Sequence, residues 1–181
     1  MLVRSSRILP WLMAAGLALG MTACASTDGA RGTPEFQATG EVLSTRGTSV
    51  AFNDDRILGP EINLTRRTDG SWAGTINDTL VDIRVKEGNL HGIHIDLHWK
   101  PVEGGFRAQG LIGQRIVRVQ VDGKWLEVQN GPASASLWRT GPGSFEDTQG
   151  AMLLKGEAQE LRMPQTLLAL LVVATDDRRT R

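Results

Sequence analysis

The sequence predicts an all-β domain, an antiparallel meander forming a barrel or a sandwich, with a short helix at its carboxyl end. Three observations predict it. Short runs alternate apolar and polar residues with period two, tight-turn dipeptides separate them, and one Leu- and Ala-rich run near the end shows no alternation.

The strands follow in order. Glu61–Arg67 and Trp72–Ile76 flank Asp69-Gly70, a dipeptide that takes up the positive φ of a hairpin turn at little cost. Thr79–Lys86 sets Leu80, Val81, Ile83 and Val85 against Asp82, Arg84 and Lys86. Glu87-Gly88-Asn89 reads as a turn, and Leu90–Trp99 as one strand with Ile93, Ile95, Leu97 and Trp99 on a single face. Phe106–Gly113 and Arg115–Val121 come next, the latter with Ile116, Val117, Val119 and Val121 as its core residues. Asp122-Gly123 then turns the chain into Lys124–Gln129.

A weak internal repeat links two of these hairpins. Trp72–Ile76 with Leu80–Val85 parallels Arg107–Ile112 with Ile116–Val121, and in both a glycine stands two residues before an isoleucine. A repeated hairpin suits a meander that closes on itself, because closure removes exposed strand edges. In Leu161–Ala174, Pro164 suits the first turn of a helix. We expect a buried helix, packed on the sheet or across an open barrel end. Its uninterrupted apolar stretch is about eight residues, against the roughly 20 needed to span a bilayer.

The amino terminus has its own pattern. Arg4 and Arg7 precede an apolar run, Ile8–Met21, of about 14 residues, and Thr22-Ala23 leads to Cys24. A basic start, a short apolar run and small residues before a cut site mark a secretory signal. Leu19-Gly20-Met21-Thr22-Ala23-Cys24 resembles the lipobox of bacterial prolipoproteins, departing from it at Met21, where Leu is usual. The resemblance implies that Cys24 is acylated and that residues 1–23 are removed before it. It also implies an outer-membrane address, because residue 25 is Ala rather than Asp. Cys24 is the only cysteine, so no disulfide can form within the chain. Residues 25–35 hold almost nothing that packs and read as a tether. The expected organisation is signal peptide 1–23, acylated cysteine and tether 24–35, one β-rich domain 36–175, and a polar tail 176–181.

Twenty basic residues balance twenty acidic ones. The balance gives no electrostatic case for nucleic acid. The expected partner is the membrane, reached through the N-terminal acyl chains, with an envelope protein or a small ligand as further candidates. No Gly-x-Ser-x-Gly elbow is present, and no phosphate-cradling glycine loop precedes a helix. The pairs Asp54-Asp55 and Asp176-Asp177 sit in polar sequence, where burial would not raise a pKa. The expected function is therefore a non-enzymatic binding or structural domain.

Two alternatives stand beside it. One is a barrel holding a small apolar ligand, similar in architecture to lipocalins. The other is a divalent-metal site. All three histidines fall in His91-Gly-Ile-His94-Ile-Asp96-Leu-His98, and on one strand His94, Asp96 and His98 would share a face. One His–Asp pair with Asp82 or Glu103 from a neighbouring strand would then hold the ion. Trp72, Trp99, Trp125 and Trp138 read mainly as core residues, with a stacking platform for sugars or peptides as the alternative.

Overall fold

Alternation dominates the chain from Gly40 to Gly156, and many of the turns between runs carry a glycine, asparagine or aspartate at positive φ. The computed structural model describes residues 36–161 and 164–176. The signal, lipobox and tether readings, including Cys24, lie outside the described residues, as does nearly all of the tail. The compact unit that holds the described strands begins at Phe36.

The meander opens with β1 (Gly40–Ser44), β2 (Ser49–Phe52), β3 (Arg56–Gly59), β4 (Ile62–Arg66), β5 (Trp72–Ile76), β6 (Thr79–Lys86) and β7 (Asn89–Ile93). It continues through β8 (Ile95–Val102), β9 (Gly105–Ile112), β10 (Arg115–Val121), β11 (Trp125–Asn130), β12 (Ala133–Gly141), β13 (Ser144–Asp147) and β14 (Gly150–Gly156). Each strand pairs antiparallel with the next, and β14 pairs with β1 from Gly40↔Gly156 to Ser44↔Met152. The sheet is thus a closed barrel, and the sandwich alternative falls away. One 3-10 turn, Glu157–Glu160, leads to the helix α1 (Pro164–Asp176).

The helix lies inside the barrel rather than across its end. Leu167 to Ala174 are each no more than 3% exposed, so every face of α1 is covered. It packs on β1 and β2 and also on β10, β11 and β12. A helix apolar all round must be buried on all sides, and a closed sheet offers that environment. Eight strands leave a bore that side chains alone can fill, while a fourteen-stranded barrel is wider. A helix about 10–12 Å across fills the difference. The inward residues of the strands complete the core, among them Val42, Phe52, Leu64, Ile83, Leu97, Phe106, Val119, Leu126 and Phe145.

The barrel has two rims. The entry rim carries Thr39, whose N–H donates to Phe52 O at 2.8 Å, and the start of α1, where Pro164 and Gln165 adjoin Trp72 and Lys86. The far rim carries the end of α1, where Ala174 adjoins Ser44 and Met152. Odd-numbered strands run from the entry rim to the far rim, and even-numbered strands return.

Three strand readings need correction. Leu90–Trp99 is not one strand: the chain reverses at Ile93-His94, with Gly92 opposite Ile95. Ile93 is then 61% exposed instead of buried beside Ile95 and Leu97. Ile116 is 54% exposed, because alternation from Val117, Val119 and Val121 inward sends residue 116 outward. Leu80 is 70% exposed for the same reason, beside the inward Val81.

The repeated glycines have one role. Gly74 and Gly110 adopt φ of 148° and 154°, and a β-carbon on either would stand 1.9 Å from a backbone oxygen of the preceding strand, Asn63 or Asp96. Gly110→Ala should lower stability by about 3 kcal/mol or more, combining backbone strain with a clash against rigid main chain. Leu170→Ala, which opens a cavity inside the barrel, should cost about 2–5 kcal/mol. Urea denaturation measures both, and a loss below 1 kcal/mol for the helix variant would contradict a tightly filled bore.

Candidate functional site

The structure separates the three histidines that the sequence groups. His94 occupies the β7–β8 turn at φ 58° and shares no strand face with Asp96 and His98. Its carbonyl accepts from Gly113 N–H at 2.6 Å, which ties the β7–β8 turn to the β9–β10 turn. His91 takes the expected place of His94: it stands opposite Asp96, with Nδ1 3.4 Å from Asp96 Oδ1. His98 Nε2 lies 4.0 Å from the same oxygen, while His98 Nδ1 meets Asn89 Oδ1 at 2.5 Å. The proposed neighbours do not join them. Asp82 pairs with Arg67 at 2.5 Å, and Glu103 sits in the β8–β9 turn at the entry rim. Among the described residues, no group of three or more His, Cys, Asp or Glu side chains is arranged to hold a metal ion.

The tryptophans divide as well. Trp72 is buried and Trp99 packs against the core, but Trp125 and Trp138 are 45% and 42% exposed. In β11 the inward positions belong to Leu126, Val128 and Asn130, which sends Trp125 outward. The two indoles are cross-strand partners at the entry rim. Arg139 N–H bonds to Lys124 O in the adjacent pair, so Trp125 and Trp138 form a non-hydrogen-bonded pair, the closer of the two antiparallel types.

Below them lies a polar grid set by strand register. One row reads Lys100, Arg107, Gln120, Glu127 and Ser136 across β8 to β12. The next reads Lys86, Asn89, His98, Gln109, Arg118, Gln129 and Ser134 across β6 to β12. Rows two residues apart are separated by about 6.6 Å, and neighbouring strands by about 4.8 Å. Over β9 to β12 these side chains line an open groove of about 790 Å³, and a second hollow of about 250 Å³ beside His98 and Lys100 shares Arg107 and Gln109 with it. Leu111 and Ile116, cross-strand partners and both exposed, border the grid toward the far rim.

Cations outnumber acids in these two rows: Lys86, Lys100, Arg107 and Arg118 stand with one carboxylate, Glu127, while the next row toward the far rim adds Arg84 and Asp96. Arg107 Nε donates to Gln120 Oε1 at 3.1 Å, and none of the four cations forms a salt bridge among the described residues. Sequence reading passed over the grid because its members lie on different strands. Its one trace in the sequence is the recurrence of Gln and Ser, rather than Glu and Lys, at outward positions of β9 to β12.

The β10–β11 turn positions the indole pair. Asp122 Oδ1 accepts from Lys124 N–H at 2.7 Å and from Trp125 N–H at 2.8 Å. Those two donors, with the Gln120 amide behind them, hold the Asp122 carboxyl below its usual range.

Comparison with known protein families, curated proteins and solved structures finds no match. The class is defined by the fold itself: a closed fourteen-stranded antiparallel barrel around a central helix.

Asp122→Ala should lower stability by about 1 kcal/mol at pH 7. A depressed carboxyl pKa stabilises above the unfolded value of about 4 and loses that contribution as pH falls through the folded value. The gap between wild type and variant should therefore be constant above about pH 5 and shrink toward pH 2. Urea titrations at several pH values measure it, and a gap that persists unchanged at pH 2 would show that the charged turn is not its cause.

Proposed function

We propose that this chain is a lipid-anchored cell-envelope lipoprotein, acylated at Cys24, whose barrel is a non-enzymatic binding domain working through its outer surface. The observation that carries the second half is α1. It occupies the bore that a lipocalin-like ligand would need, so a soluble ligand is left with the outside, where the groove over β9 to β12 lies. The packed interior also counts against the small-ligand barrel weighed from sequence.

The anchor reading rests on the lipobox resemblance around Cys24 and on the packing-poor residues 25–35. Two acyl chains hold firmly, since each buried methylene contributes about 0.8 kcal/mol. The barrel itself is built in the opposite sense to a membrane-spanning one. Its apolar residues face inward and its strands are 4–9 residues long, whereas a bilayer demands an apolar outer band and strands of about 9–11 residues. No helix among the described residues is long and apolar enough to cross a membrane. The expected address is the outer membrane.

Cys24→Ser should abolish acyl labelling and leave an uncleaved precursor, read by metabolic labelling with a palmitate analogue and by mass. A variant that is still labelled would remove the anchor from this reading and leave the barrel untouched.

A further inference from the structure

We propose that the groove over β9 to β12 binds an acidic polysaccharide strand, with the Trp125–Trp138 pair as its stacking end. This rests on the reading of the outer groove as the binding site and names the ligand class that fits it.

The argument begins with the donors. Arg107 and Arg118 project from adjacent strands on the same face, two residue pairs apart in register, and neither has a carboxylate partner among the described residues. An unpaired guanidinium presents a planar fork of N–H donors that matches a carboxylate. Lys100 extends the same row on β8. Gln109 and Gln120 stand between these cations; beyond them come Gln129 and the one carboxylate, Glu127, on β11, and Ser134 and Ser136 on β12. The amides and hydroxyls both donate and accept, while Glu127 accepts from a ligand hydroxyl. A ligand that satisfies this face must carry dispersed anions and many hydroxyls together. A polymer of uronic-acid sugars has that composition.

The indoles supply the remaining element. Trp138 lies two residues from Ser136, and Trp125 two residues from Glu127, so the pair closes the entry-rim end of the groove. A pyranose ring turns C–H bonds toward the electron-rich face of an indole, while its hydroxyls point sideways to amides and hydroxyls. Exposed paired tryptophans next to a ladder of Gln and Ser match both halves of that surface. A bilayer of anionic lipid also carries dispersed negative charge. It is a broad surface, however, and would leave the amides and serines inside the groove without partners. From β9 to β12 the groove spans about 14 Å, wide enough for a chain several sugars long.

The test uses the purified full-length protein and three probes: oligogalacturonate, a neutral β-glucan oligomer, and vesicles of phosphatidylglycerol. Calorimetry and tryptophan fluorescence report binding. Oligogalacturonate should bind, with affinity falling about tenfold or more between roughly 0.05 and 0.5 M salt as screening grows. Arg107→Gln with Arg118→Gln should weaken it at least about tenfold without changing the melting temperature, and Trp138→Ala should weaken it and abolish the fluorescence change. Neutral glucan bound as tightly, and lost in Trp138→Ala, would overturn the acidic chemistry while keeping the groove. Vesicle binding that depends on the arginines, without oligogalacturonate binding, would overturn the polysaccharide in favour of a lipid surface. Binding of no probe, or binding indifferent to all three substitutions, would overturn the proposal.

Discussion

The filling of the barrel by α1 is the constraint on which the rest of the structure depends. A closed sheet of fourteen strands encloses more space than its own side chains can occupy, and an unfilled apolar bore forfeits the contacts that hold a core together. The run Leu167–Ala174, apolar on every side, solves both problems at once. It needs a fully apolar surround, and the barrel needs a solid centre. The helix also follows all fourteen strands in chain order, so the sheet reaches its complete packing only once α1 is in place.

With the centre filled, the sheet's chemistry is confined to its outer face. Alternation then acts as a sorting device, because every second residue goes to solvent whatever its chemistry. That is why Leu80, Ile93, Leu111 and Ile116 are exposed in a domain whose other large aliphatics are mostly buried. It is also why Trp125 and Trp138 stand outside while Trp72 is covered. Position in the alternation outranks hydrophobicity wherever a strand is pinned by stronger neighbours, as Ile116 is by Val117, Val119 and Val121.

Register turns this sorting into a surface. Arg107, Gln120, Glu127 and Ser136 are spread over thirty residues of chain, yet successive members are cross-strand partners. The charge balance of the sequence conceals the result. Twenty cations and twenty anions suggest an electrostatically neutral molecule, while the two rows of the grid carry Lys86, Lys100, Arg107 and Arg118 against Glu127 alone. Net charge describes the far field, and a ligand in a groove meets only the near one.

The histidine cluster marks where sequence reading goes wrong and why. Spacing of two residues places His94, Asp96 and His98 on one face only if the strand continues, and Gly92-Ile93-His94-Ile95 offers no conventional turn dipeptide to say that it stops. The reversal there depends on long-range partners: β6 on one side, and Gly113 reaching His94 O on the other. Such contacts have no local signature. What the sequence by itself determined was the all-β class, the boundaries of β6 and β10, the Asp-Gly turns and the helix after Pro164, since period, turn chemistry and apolar content are local properties. Closure into a barrel, the seating of α1 inside it, the outward tryptophans and the basic groove were decided only by tertiary structure. Each is a relation between strands, set by register and by the volume that fourteen of them enclose.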